Sequence, residues 1–221
     1  MPLVDATRIP DATYRLQLRR EFPFAAAEAL VPYFESLGVS DCYCSPVFLS
    51  TPGSSHGYDV NDYRRIDPEL GGPRGLGQLH AALAERGLRL LLDFVPNHMG
   101  INGPGLFNAW WRQVLEGGVH SRYAQFFDIN WDDPRRPGPV RILVPILDDQ
   151  YGRVLEAGRL SLVRAGAQLS VQYAEMLFPL RPHSYATVLK PLLDGAGEEA
   201  PALSRLIGAF TDLPRPDAAE E

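Results

Sequence analysis

The segment from Leu88 to Val95 constrains this chain most. Leu88-Arg89-Leu90-Leu91-Leu92-Asp93-Phe94-Val95 is an almost unbroken aliphatic run. A strand that reads this way is buried on both faces, and such strands belong to parallel sheets covered by helices. The segments before it fit that sheet. Thr13-Tyr14-Arg15-Leu16-Gln17-Leu18 alternates polar and apolar, as a short strand does. Ala25–Leu37 has Leu30, Tyr33, Phe34 and Leu37 on one helical face, with Gly38 as its stop and Pro32 as a kink or first firm turn. Asp41–Phe48 reads as a second strand, Ser50–Gly57 as a loop, and Pro73–Arg86 as a second helix. The order β-α-β-α-β with short connections is that of an α/β fold.

After the third strand the rhythm breaks. Leu106–Glu116 reads as a helix with Phe107, Trp110, Trp111 and Val114 on one stripe. Short strands are expected at Tyr123–Trp131, Val140–Leu147, Arg153–Ala157, Leu160–Val163 and Leu169–Phe178. Helices are expected at Tyr185–Leu193 and Ala202–Phe210, before a polar tail from Pro214. The expected division is 1–98 for the βαβαβ part, 99–183 for a β-rich insertion, and 184–221 for a helical segment and tail.

Composition excludes several classes. Of 221 residues, 45% are hydrophobic and 22% charged, which are globular values. The net charge of −6 argues against nucleic acid as a partner, because phosphate binding needs a basic surface. No apolar run reaches the roughly 18–20 residues of a membrane span, so no membrane partner is expected. Met1-Pro2-Leu3-Val4-Asp5 has neither the basic nor the apolar region of a signal peptide, which points to the cytoplasm. Cys42 and Cys44 are too few for a disulfide framework or a zinc site and read as buried small hydrophobes.

Two stretches hold residues suited to chemistry: Gly53-Ser54-Ser55-His56-Gly57-Tyr58-Asp59-Val60-Asn61-Asp62-Tyr63 and Asp93-Phe94-Val95-Pro96-Asn97-His98. Each follows an expected strand, and α/β barrels gather their working groups at strand C-termini. Asp93 in an aliphatic strand needs a partner, either an arginine in a structural ion pair or a site it braces. His98 is either a satisfied loop histidine or a donor to a polar substrate. Tyr58 either packs or offers an aromatic platform to the apolar face of a sugar. Asp59 and Asp62 either fix the turn or serve the site, and His56 stays ambiguous. Trp110 and Trp111 on a helical stripe read as core rather than as a sugar platform. Asp93, Asn97 and His98 offer ligand atoms for calcium, but spacing alone does not make a metal site. There is no Gly-rich dinucleotide motif, no Walker loop and no G-x-S-x-G elbow. No cofactor is expected.

Asp93-Phe94-Val95-Pro96-Asn97-His98 resembles the first signature region of the α-amylase superfamily. Together with Thr13–Leu18, Gly53–Val60, Pro68-Glu69-Leu70-Gly71-Gly72 and Leu91–Met99, it resembles the maltooligosyl trehalose synthase branch of that superfamily. The resemblance covers most of residues 8 to about 190. It implies the first three βα units of a (β/α)8 barrel, with an inserted domain after the third strand. It implies that Tyr58 stacks on the glucose at the cleavage point, that His98 and His56 contact substrate, and that Asp93, Asn97 and Asp59 brace the site. Asn97 matches a position that binds calcium in many members. Ser55 stands where some members carry a substrate-binding Asp, so that contact does not carry over. The family's nucleophile and acid/base lie on the fourth and fifth strands, and both are expected beyond Glu221, so no catalytic residue is assigned in this chain. The implied partners are a maltooligosaccharide or glucan and the remainder of the same enzyme. The rival readings are an α-amylase-type hydrolase and a non-catalytic carbohydrate-binding protein. Three parallel strands without neighbours would leave open edges, which favour aggregation.

Overall fold

The computed structural model describes residues 9–101, 107–132, 135 and 142–213. It divides into two compact units, with the boundary between residues 102 and 103.

The first unit is built on three parallel strands in the order β1 (Thr13–Leu16), β2 (Asp41–Cys44) and β5 (Arg89–Leu92). Their register is level: Arg15 lies beside Tyr43, and Tyr43 beside Leu91. Alternation along each strand then sorts the side chains. Leu16, Cys42 and Cys44 point into a core shared with Phe24, Phe34, Leu79 and Leu83. Arg15, Tyr43 and Leu91 fall on the opposite face. Helices α1 (Phe24–Ala29), α2 (Val31–Leu37) and α3 (Gly72–Glu85) supply the core's other layer.

The expected first helix is two. Leu30 separates α1 from α2, and Pro32 sits in the first turn of α2, where its missing N–H costs nothing. The second expected strand ends at Cys44. Phe48–Ser50 (β3) instead pairs antiparallel with Val60–Ile66 (β4), a strand the sequence reading missed. The Ser50–Gly57 loop is thereby the tip of a hairpin. Strand β5 differs from expectation too, since Leu91 is 42% and Leu92 39% exposed. Leu91 lies on the face of Arg15 and Tyr43, away from the helices, and among the described residues no strand pairs with β5 on its outer side. Cys42 and Cys44 are free and fully buried, with their sulfurs 4.0 Å apart.

The second unit opens with α4 (Ala109–Gly117), capped by Asn108, whose side-chain oxygen accepts from the N–H groups of Trp110 and Trp111. Trp111, Val114 and Tyr123 are buried together, and Trp110 stacks on Tyr123 with ring centroids 5.2 Å apart. These tryptophans are packing groups, as their helical spacing indicates. Several expected strands are absent among the described residues. Tyr123–Trp131 is irregular apart from a 3-10 turn at Ala124–Phe126, because its aromatic rings pack into the tryptophan cluster rather than alternating across a sheet. Residues 142–147 form no strand, and 140 and 141 lie outside the described residues. Tyr151–Glu156 is helix α5, which buries Val154 alone of its side chains. The last expected strand is a hairpin, β7 (Gln168–Tyr173) and β8 (Met176–Pro179), turned at Ala174, and it joins β6 (Leu160–Ala165) in an antiparallel sheet. Helices α6 (Pro182–Leu189) and α7 (Ala200–Thr211) follow, with Tyr185 against Phe210.

Candidate functional site: a tyrosine braced over the end of the sheet

The site grows from the polar face of the sheet. Arg15, Tyr43 and Asp93 come from three adjacent strands or their ends, and the β3–β4 hairpin tip lays Tyr58 over them. The Tyr58 hydroxyl donates to Asp93 Oδ2 at 2.6 Å, and the Tyr43 hydroxyl donates to the same oxygen at 3.0 Å. Arg15 Nη2 donates to the Tyr58 hydroxyl at 2.7 Å and stands 3.8 Å from Asp93. Its guanidinium also lies over the Tyr43 ring, 5.3 Å from the centroid. The Asp93 side chain is 15% exposed, so its charge needs these donors. It faces Arg15 and accepts from both tyrosine hydroxyls. The hydrogen bond to Asp93 holds the Tyr58 hydroxyl above the usual tyrosine pKa. Burial adds to this, and the charge of Arg15 works against it.

The backbone of the hairpin tip is fixed separately. Gly57 has a φ of +74°, a left-handed conformation in which a Cβ would lie 2.9 Å from the carbonyl oxygen of Pro46. Tyr58 N–H donates to His56 Nδ1 at 3.0 Å. That bond needs an unprotonated Nδ1, so the 3.9 Å approach of His56 to Asp59 is not an ion pair in this geometry. Asp59 instead accepts from the Ser54 hydroxyl at 2.5 Å, which itself accepts from Gly57 N–H. The carboxylate thus closes the turn. Gln17 Nε2 donates to the His56 carbonyl at 2.8 Å.

The segment after β5 returns to the same tip. His98 Nε2 is 3.0 Å from the carbonyl oxygen of Tyr58, and Nδ1 is 3.1 Å from Asn97 Oδ1. A neutral ring carries one N–H, so it donates to one of these oxygens. With the Asn97 amide turned end for end, it donates to the carbonyl and accepts from the amide. Tyr63 of β4 pins the segment, its hydroxyl meeting the carbonyls of Val95 and His98 at 2.5 and 2.8 Å. Gly100 lies where a Cβ would come within 2.6 Å of the Asp59 carbonyl oxygen. Asn97 faces His98, and among the described residues no three His, Cys, Asp or Glu side chains converge on a metal position.

The structure thus gathers Tyr58, His98, His56, Asp93, Asn97 and Asp59 in one place. Three contributors were missed, Arg15, Gln17 and Tyr43, while Tyr63 closes one of the two stretches singled out but had no role given to it. For Arg15 and Gln17 the signal was present, since the alternation of Thr13–Leu18 puts both opposite Leu16 and Leu18. Tyr43 and Tyr63 act through contacts 50 and 32 residues away in sequence, which no local pattern reports. The assembly offers an aromatic ring, hydroxyls and ring nitrogens beside one well-partnered carboxylate. It suits recognition of a neutral, hydroxyl-rich ligand. A parallel α/β unit with working groups gathered at its strand C-termini has the layout that α/β barrel enzymes use for their sites.

Comparison with known proteins places the chain more narrowly. The catalytic domain of α-amylase matches residues 28–148, more than half of the chain. The chain belongs to the α-amylase family. A Mycobacterium tuberculosis protein bearing the name maltooligosyl trehalose synthase is 47% identical over 141 residues, which is 62% of this chain and 18% of that protein. The structure of the maltooligosyltrehalose synthase from Arthrobacter ramosus superposes with a TM-score of 0.67 at 41% identity, covering 78% of this chain and 21% of that one. The intracellular maltogenic amylase of Bacillus subtilis is 38% identical over 121 residues, 55% of this chain and 17% of its own length. The chain spans about a fifth of the length of these relatives.

Proposed function

We propose that this chain forms the substrate-holding part of a maltooligosyl trehalose synthase. In this reading residues 1–98 are the first three βα units of a (β/α)8 barrel. Residues 99–183 are a domain inserted after the third strand, and 184–221 lead toward the rest of the barrel. Tyr58 stacks on the glucose at the cleavage point, and His98 and His56 meet its hydroxyls. Asp93, Asn97 and Asp59 hold those groups in place. The observation that carries the reading is the joint one: the Tyr58 hydroxyl on Asp93 and the His98 ring on the Tyr58 carbonyl, in a chain whose relatives at 47% and 41% identity bear that enzyme's name.

The reaction moves the reducing-end glucose from an α-1,4 to an α,α-1,1 linkage. A carboxylate attacks the anomeric carbon and forms a glycosyl-enzyme while the α-1,4 bond breaks, and a carboxylic acid gives its proton to the departing oxygen. The freed glucose turns, and its anomeric hydroxyl attacks the same carbon, returning a proton to that group. Retention of this kind needs two carboxyl groups about 5–5.5 Å apart. Asp93 and Asp59 are each held by donors within this unit, which suits bracing rather than that pair. We assign nucleophile and acid/base to the portion of the relatives that the chain does not span, which makes that remainder its natural partner. The same reading places the enzyme in the cytoplasm and gives it no cofactor.

The test combines this chain with a polypeptide carrying the remaining four-fifths of a maltooligosyl trehalose synthase and supplies maltopentaose. The expected product is non-reducing, so reducing ends fall and little glucose is freed. A rise in reducing ends would instead establish the α-amylase-type hydrolase, which the match to a maltogenic amylase keeps as the second reading.

A further inference from the structure

Strand β1 reaches the hairpin tip at two separate points. Arg15 Nη2 donates to the Tyr58 hydroxyl at 2.7 Å, at the far end of the ring. Gln17 Nε2 donates to the carbonyl of His56 at 2.8 Å, two residues before the ring on the backbone that carries it. The two side chains are joined, with Arg15 Nη1 donating to Gln17 Oε1 at 3.2 Å. Residues two apart on an extended chain share a face, so the pair is a direct product of the alternation in Tyr14-Arg15-Leu16-Gln17-Leu18. Leu16 and Leu18 are 5% and 1% exposed and anchor the strand in the core between them. Arg15 is held in turn by the Tyr43 ring beneath it.

We infer that Arg15 and Gln17 are a two-point brace from β1 that positions the Tyr58 ring. This deepens the reading of Tyr58 as the sugar-facing ring and rests on it. Asp93 holds the hydroxyl from β5 and His98 meets the Tyr58 carbonyl, and the contacts from β1 add to these; an aromatic ring that swings freely loses binding energy when it is stilled by a ligand. Fixing the hydroxyl alone leaves the ring free to hinge about its backbone. Fixing the backbone alone leaves its two side-chain torsions free. The brace closes both. Arginine suits this work because one planar fork serves Tyr58 and Gln17 together, which a lysine ammonium cannot do with the same geometry.

The test uses the 221-residue chain at low concentration, with maltopentaose as the probe. Affinity is read by calorimetry, and Tyr58 ionisation by NMR of ring-labelled tyrosine, with Tyr58→Phe added to each variant to assign the signal. Arg15→Leu is expected to weaken maltopentaose binding about tenfold, the loss of one charge-assisted hydrogen bond. It also moves the Tyr58 titration to higher pH, because the cation opposing Asp93 is gone. Arg15→Lys restores the titration without restoring the affinity. Gln17→Leu weakens binding and leaves the titration in place. A merely structural role for Arg15 would lower the melting temperature and leave the Tyr58 signal unmoved. Wild-type titration and wild-type affinity in Arg15→Leu would overturn the brace. A chain that binds no maltopentaose, yet whose Tyr58 titration follows Arg15, would retain the brace and remove the carbohydrate reading.

Discussion

Tyr58 and Asp93 lie 35 residues apart in sequence and 2.6 Å apart in space, joined from phenol to carboxylate. That bond ties the tip of the β3–β4 hairpin to the end of β5. It makes the position of the aromatic ring depend on a strand whose neighbour, β2, also sends Tyr43 to the same oxygen.

Asp93→Ala leaves two phenol hydroxyls without their shared acceptor and the Arg15 guanidinium without a nearby countercharge. We expect a loss of about 1–3 kcal/mol in the stability of the first unit. Tyr43→Phe removes one donor and should cost less, about 0.5–1.5 kcal/mol. Urea unfolding of the two variants against wild type checks both values and their order.

Gly57→Ala puts a methyl group 2.9 Å from the Pro46 carbonyl at a residue whose φ is +74°. The left-handed backbone alone costs a non-glycine residue about 1–2 kcal/mol, and the close carbonyl adds to that. Maltopentaose binding should weaken along with stability, because Gly57 adjoins the ring. An unchanged melt and unchanged binding would show that the tip has room that this geometry denies it.

In the second unit Asp148 accepts from Arg159 at 2.6 Å and from the Tyr173 hydroxyl at 2.5 Å. The bond to Arg159, and then that to Tyr173, lower its pKa from 3.8 to about 2. A carboxylate depressed in the folded state contributes stability that is fully present above its unfolded pKa and is lost as pH falls through its folded one. The β6–β7 pairing should therefore weaken between about pH 4 and pH 2. Arg159→Leu should move the Asp148 titration up and flatten that dependence, as carboxyl NMR and melts across the range would show.

Among the described residues β5 has no partner on its outer edge, and Leu91, Leu92 and the following Phe94 are exposed. Open apolar edges template pairing with other chains. The isolated chain should self-associate as its concentration rises, and Leu92→Lys should reduce this. Light scattering over a concentration series decides it.

Much of this architecture was readable in advance, and the failures have physical causes. The three parallel strands and the flanking helices of the first unit follow from periodicity, because helix-facing and polar-facing residues alternate cleanly around Leu16, Cys42 and Cys44. Strand β4 escaped because Val60-Asn61-Asp62-Tyr63-Arg64-Arg65-Ile66 looks like a polar turn until β3 pairs with it. Arg153–Ala157 reads as a strand but lies largely in the helix Tyr151–Glu156, whose one buried residue, Val154, is too little to mark a helix. Tyr58, Asp93 and His98 were legible because they sit in recognisable segments. Tyr43 and Tyr63 were not, since each earns its place through a partner distant in the chain. The pairing of the hairpin tip with the end of β5 is a tertiary fact.

The most direct measurement is calorimetric titration of the chain with maltopentaose, beside Tyr58→Ala. Removing a stacking ring should weaken binding about tenfold or more, while the Trp111 cluster and its unit keep their melt. Equal affinity in the two proteins, or none in either, would contradict the account of Tyr58 as the ring on which a glucan rests.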